Sequence, residues 1–212
     1  MLIAEELVLI ALEPDGSLAR GSSVQSAVEI GVTAALVSEL AIDGHLGLAD
    51  GRIRLTGSRP THPMLAQALD NVAPHEGKKL KSRLASITHA GWREVVDGMI
   101  EAGVLGRDEA LLRPTRHPVA DPDMHASLLA EVRAAAAGTG ELDPRLATLL
   151  ALSGPCQLLE VVAPDRDGRK HARSRIDAAA DLVPATAGVK AIVEGMQAAM
   201  VTVVAASAAT NG

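Results

Sequence analysis

The most constraining feature of this sequence is a deficit: among 212 residues there is no Phe, no Tyr and one Trp, Trp92. The core must therefore be built from Leu, Val, Ile, Ala and Met. Ala and Leu lead the helix-propensity scale, and small side chains let helices approach closely. A β-sandwich usually fills its interior with aromatic and β-branched residues. Helix packed on helix is the expected arrangement. The same deficit removes the stacking platforms on which single-stranded nucleic acid is held. Hydrophobic residues reach 48% and charged residues 22%, enough apolar material for a real core and too little charge for a disordered chain.

Hydrophobic spacing predicts a short helix over residues 2–12, stopped by Pro14-Asp15-Gly16. Ser22-Ser23 offers an N-cap for a helix over 24–42, whose Val28, Val32, Ala35, Leu36 and Leu40 share a face, with Gly44 as its stop. Residues 46–55 then alternate about Asp50-Gly51, the signature of a β-hairpin. The pattern recurs. The octet from Leu40 to Gly47 lines up with the octet from Met99 to Gly106. Each ends a helix at Gly and enters a strand at Leu. Each is followed by an acidic turn, Asp50 or Asp108-Glu109, and closes at a His-Pro, His62-Pro63 or His117-Pro118. This predicts a second hairpin over 105–112, and hence two helix–hairpin–helix units. Residues 74–81 form a polar break. Further helices are expected over 84–102, 123–137, 145–152 (with Asp143 at the cap and Pro144 at the first position), 157–163, 171–182 and 187–208. The expected fold class is mainly α: a single compact helical domain over 1–212 with two short peripheral β-hairpins.

The formal net charge of −6 argues against a protein that wraps nucleic acid. One cysteine, Cys156, permits no internal disulfide and suits a reducing compartment. The N-terminus carries Glu5 and Glu6 within its apolar run, unlike a signal peptide. Lys190 and Glu194 interrupt the apolar stretch 189–209, which reads as a core helix rather than a membrane span. The expected location is the cytoplasm, with a peripheral place on the inner membrane face.

Motifs for catalysis do not appear: there is no Gly-x-Ser-x-Gly, no Gly-x-Gly-x-x-Gly and no phosphate-binding loop. No catalytic residue, no metal and no cofactor is expected. The cluster His117, Asp121, Asp123 and His125 has metal-binding residue types but reads as a loop with an N-cap before a helix. Cys156 reads as a buried, inert thiol. The run Arg166, Arg169, Lys170, His171, Arg173 and Arg175 is the conspicuous basic feature. It suits an anionic membrane lipid, nucleic acid or an acidic protein client, or else a solvated helix face with Asp165, Asp167 and Asp177 as local partners. A second class of function is a winged-helix-like nucleic-acid-binding regulator, with Arg52 and Arg54 on the first hairpin as its wing. Charge makes nucleic acid the weaker partner. A homo-oligomer stays open.

The series of motifs resembles the Golgi phosphoprotein 3 family. The residues that carry the likeness are those from Glu5 to Leu12, from Glu39 to Leu46 and from Ile100 to Leu105. His117-Pro118, Asp143-Pro144-Arg145-Leu146 and Leu158-Leu159-Glu160 continue it in order along nearly the whole chain, which looks like a bacterial-type member. The resemblance implies a mostly helical fold with peripheral hairpins and no catalytic activity. It further implies a peripheral membrane adaptor that binds phosphatidylinositol 4-phosphate. Family residues that grip the headgroup from the second helix, a Trp and an Arg, fall on Val24 and Thr33 here, so those groups are largely replaced. Arg145 matches a family arginine. With Arg169, Lys170 and Arg173 of the basic run, it makes up the expected lipid-headgroup set.

Overall fold

The computed structural model describes residues 1–87, 91–110 and 113–179. Its first helix, α1 (Ile3–Ala11), is buried along almost its whole length. The side chain of Glu5 reaches back to accept from the Leu2 amide at 2.7 Å, which satisfies one donor at the helix start. Leu12 leaves the helix in extended conformation, ahead of Pro14.

The central element is α2 (Gln25–Ile42), with α1 and the later helices over 63–72, 91–101 and 144–153 packed around it. By length and mean hydropathy it is apolar enough to cross a membrane, yet 67% of it lies buried inside the fold. It is the core helix. The expected serine cap is not used: residues Gly21–Val24 form a 3-10 turn and Val24, buried, occupies the cap position. Val24 is apolar and gains more from burial than a capping hydroxyl would contribute at an exposed end.

Gly44 stops α2 with φ of 74°. The first hairpin follows as expected, β1 (Leu46–Ala49) against β2 (Arg52–Leu55). Asp50 and Gly51 both have positive φ, 53° and 69°, the mirror-image turn that matches the twist of paired strands. The polar stretch after α3 (Pro63–Val72) is not a plain break. The Ile53 amide donates to Lys78 O, Gly77 to Ile53 O and Leu80 to Gly51 O, so this stretch is tied to β2 through an isolated bridge between Arg52 and Lys79. Arg52, read as a wing residue, donates instead to Gly77 O at 2.9 Å.

The expected helix over 84–102 is α4 (Leu84–Ile87) and α5 (Gly91–Glu101), separated by residues outside the described ones. The second hairpin departs from expectation. Its strands are β3 (Asp108–Ala110) and β4 (Arg113–Arg116), shifted along the chain from 105–112. Asp108 and Glu109 lie in a strand rather than a turn. Leu105, expected to open the strand, is buried and bridges Val119. An octet can place the helix stop at Gly103, φ 73°, but a tight turn needs residues that tolerate positive φ, and Asp108-Glu109 is no Asp-Gly. Likewise His62 sits at the N-cap position of α3, whereas α6 (Pro122–Ala137) starts four residues beyond Pro118, capped by Asp121.

The remaining helices are α7 (Pro144–Ser153), α8 (Leu159–Val162) and α9 (Arg169–Ala179). Asp143 caps α7 by accepting from Leu146 N at 3.0 Å, with Pro144 at the first position as the sequence indicates. The helix expected over 187–208, and the end of the one over 171–182, lie outside the described residues. One hydrophobic cluster runs from Leu2 to Ala179 without an aromatic ring in its buried part. The protein is mainly α with two small hairpins.

Candidate functional site

The basic run is divided by helical geometry. Successive residues of an α-helix are about 100° apart. Ala172, Ile176 and Ala179 take the core side of α9 and are buried. Arg169 and Arg175 fall on the flanks and turn onto backbone carbonyls. The Arg169 guanidinium donates to Ala163 O at 3.2 Å and Pro164 O at 2.9 Å, and pairs with Glu160 at 3.3 Å. Arg175 donates to Gly140 O, and His171 Nε2 to Gly138 O at 3.2 Å. Lys170 and Arg173 fall on the outer side and are exposed, as is Arg166 in the preceding loop. The side chains of these three have no hydrogen-bond or ion-pair partner among the described residues. Asp165, Asp167 and Asp177 are exposed nearby but form no pair with them, so the local partners considered for the solvated-face reading are not engaged.

Arg145 has different surroundings. Its Nη1 donates to both carboxylate oxygens of Glu6 at 2.8 Å, and its Nη2 to Glu131 Oε1 at 2.5 Å. The Glu6 side chain is only 8% exposed. Burial pushes the Glu6 carboxyl up, against the pull of the adjacent Arg145. On α2, Glu39 accepts from the Ile3 amide at 2.9 Å, and burial raises its carboxyl to about 7. Arg145 is therefore separated in role from Lys170 and Arg173: it ties α7 to α1 and α6.

The metal-type cluster is dispersed by the fold. Asp121 caps α6 through Asp123 N and Met124 N, both at 3.0 Å. His125 is buried and its Nε2 donates to Leu9 O at 2.9 Å. Cys156 is fully buried with its Sγ 3.7 Å from Ala27 O, and burial pushes the thiol up, away from the reactive thiolate.

A cleft of about 910 Å³ was not foreseen from sequence. It opens between the loop after α1, the first turns of α2, the helix α5 and the β3–β4 hairpin. Gly16, at φ 78°, lets that loop close on the second hairpin unit: a Cβ there would stand 2.2 Å from the His117 carbonyl carbon. Trp92 is half-buried on the wall, with Leu18 and Val96 as apolar neighbours and Glu29, Arg93 and Arg107 as charged ones. The available signal was the single aromatic residue on a helix between two glycines, Gly91 and Gly98.

No curated protein matches the chain. The family model described as Golgi phosphoprotein 3 (GPP34) matches residues 3–196, nearly the whole chain, and the protein belongs to that family.

Proposed function

We propose that this protein is a non-enzymatic peripheral membrane adaptor that binds anionic lipid through the outer side of α9. The observation that carries the reading is the exposure of Lys170 and Arg173, with Arg166, free of any partner among the described residues. Family membership supports it. Arg145 and Arg169 are assigned structural positions, because both are already bonded within the fold. The location that follows is the cytoplasmic face of the membrane, and no cofactor is required.

Phosphatidylinositol 4-phosphate is the family's ligand, but selectivity for it is not expected here. By the family resemblance the headgroup Trp and Arg fall on Val24 and Thr33, and both of these are buried. Losing a guanidinium removes the charge-assisted, bidentate bonds that give geometric selectivity for a phosphate. What remains is a surface attraction of about 1 kcal/mol per basic residue at best, decaying within about 8 Å at physiological salt. Asp165, Asp167 and Asp177 offset part of it.

Flotation with liposomes tests this. Weak binding to any anionic bilayer is expected, lost as salt rises and lost in the Lys170→Ala, Arg173→Ala double variant. Tight, salt-resistant binding to phosphatidylinositol 4-phosphate alone would overturn the lack of selectivity. No binding to any anionic liposome would overturn the lipid reading and move the case to a protein client; binding to duplex DNA in the same panel would favour a nucleic-acid regulator.

A further inference from the structure

A second hollow, of about 500 Å³, lies between the end of α7, the turn that follows it and α9. Its volume is that of a small-molecule site. Gly154 lets the two helices meet at its floor, since a Cβ there would stand 2.8 Å from Ile176 Cγ2. Ile176, Pro155 and Leu159 give it an apolar lining. Pro155 has no N–H, so the Ala151 carbonyl lacks its helical donor at the negative end of the α7 dipole. Gln157 lines the same hollow at φ 60°, a left-handed conformation that is strained for a residue with a side chain.

The charges around it divide into matched and unmatched. Glu160 at the rim is bonded by Arg20 and, at 3.3 Å, by Arg169. Arg173 and Asp177 also line the hollow, one turn apart on α9. Both are exposed, and neither has a hydrogen-bond or ion-pair partner among the described residues. Opposite charges four apart on a helix are neighbours, but the order with the cation first is the weaker one. The two groups are therefore left open to a ligand. Lys170, one turn before Arg173 and likewise unpartnered among the described residues, adds a second cation at the basic end.

A ligand that satisfies this arrangement carries an anionic and a cationic group joined by a short link. A lone anion would be repelled by Asp177, and a lone cation by Arg173. A phosphodiester suits the basic end, because a guanidinium takes two phosphate oxygens at once and an ammonium beside it acts as a point charge. A primary ammonium suits the other end, where Asp177, the Gln157 side-chain oxygen and the Ala151 carbonyl offer acceptors for its three donors. We infer that this hollow binds a phosphoethanolamine group, with its phosphate on Arg173 and its ammonium on Asp177. The group arrives as the headgroup of a zwitterionic lipid or as a soluble phosphodiester. The site shares Arg173 with the membrane reading of α9 and rests on that reading for the lipid source.

The test uses the full chain. Saturation-transfer NMR follows titration with glycerophosphoethanolamine, with glycerophosphocholine and glycerophosphoglycerol for comparison. The first should bind saturably. The second has a quaternary ammonium with no N–H to donate and the third has no cation, so each should bind roughly tenfold more weakly. Asp177→Asn and Arg173→Ala should each weaken binding of the first roughly tenfold. Both side chains are exposed, so circular dichroism should be unchanged in both variants. Flotation separates this site from the membrane reading. Asp177→Asn removes a negative charge, so it should float with phosphatidylglycerol vesicles at least as well as the natural protein does. A preference for phosphatidylcholine vesicles that contain phosphatidylethanolamine, lost in Asp177→Asn, would support the site and identify a lipid source. Binding of the soluble compound without that preference would support it with a soluble source. No binding of glycerophosphoethanolamine, equal binding of the three compounds, or unchanged affinity in Asp177→Asn would each overturn the proposal, whatever flotation shows. Flotation lost on every vesicle while the soluble compound still binds would overturn the membrane reading alone.

Discussion

Arg145 and Arg173 are the same side chain in opposite surroundings, and the contrast separates what holds this protein together from what it can offer a partner. Arg145 joins three helices: it lies in the first turn of α7, and its guanidinium bonds Glu6 of α1 and Glu131 of α6. Arg173, with Lys170, stands on the outer side of α9 with nothing bonded to it among the described residues. A buried carboxylate makes the first position costly to disturb, because a charge left unpaired inside a protein is poorly solvated. Exposure makes the second position nearly free to change, because water already solvates it.

The largest effect should come from breaking the first position. Arg145→Ala leaves Glu6 buried without its partner and should destabilise the protein by about 3–5 kcal/mol, read from the urea midpoint. Arg145→Lys should recover only part of this, since one ammonium cannot hold Glu6 as Nη1 does and also reach Glu131 as Nη2 does. A loss below about 1 kcal/mol in Arg145→Ala would mean that the two regions do not differ in kind.

The same end of the fold should respond to pH. Glu39 is raised to about 7 in the folded protein, above its value of 4.5 in the open chain. The folded state therefore holds a proton that the unfolded state has released. Stability from this group is fully present below about 4.5 and is lost as pH rises through about 7, by about 3 kcal/mol. Glu6 shifts in the same direction. Glu39→Gln keeps an acceptor for the Ile3 amide and removes the titration, so its stability should vary less across this window than that of the natural protein. Denaturation curves at intervals from pH 5 to pH 8 measure the difference; identical slopes would remove Glu39 from the account.

A smaller effect belongs to the caps. Asp143→Ala removes the acceptor for Leu146 N at the start of α7, beside Arg145, and should cost about 1 kcal/mol. Smallest of all is the outer side of α9. The Lys170→Ala, Arg173→Ala variant should change stability by no more than about 0.5 kcal/mol while abolishing liposome flotation. A clear loss of stability there would place those side chains in the structural class with Arg145.

Much of the architecture was legible because its signals are local. Asp50-Gly51 specifies a turn through its own backbone freedom, and Asp143-Pro144 specifies a helix start through its own side chain and ring. Where the signal was only a likeness between octets, the outcome shifted. Gly103 stops α5 as Gly44 stops α2, but without an Asp-Gly the paired strands lie further along the chain and Asp108 is in one of them. Ser22-Ser23 failed as a cap because Val24 had a stronger reason to be buried. In the candidate lipid set, the sequence could not divide Arg169 from Lys170. They are neighbours in the chain, yet about 100° apart on the helix, one turned onto carbonyls and one facing water.

Composition by itself determined the class of this protein: with almost no aromatic residues and abundant Leu and Ala, helices had to pack on helices, and Asp143-Pro144 placed the start of α7. Only the tertiary structure decided which charges remain available. Arg145 meets Glu6 across 139 residues of sequence, and no local pattern encodes that meeting. The cleft around Trp92 arose in the same way, from a loop, two helices and a hairpin brought together by burial of their apolar faces. Burial is driven by total apolar area and is indifferent to sequence distance, so it sets partners that spacing along the chain cannot show.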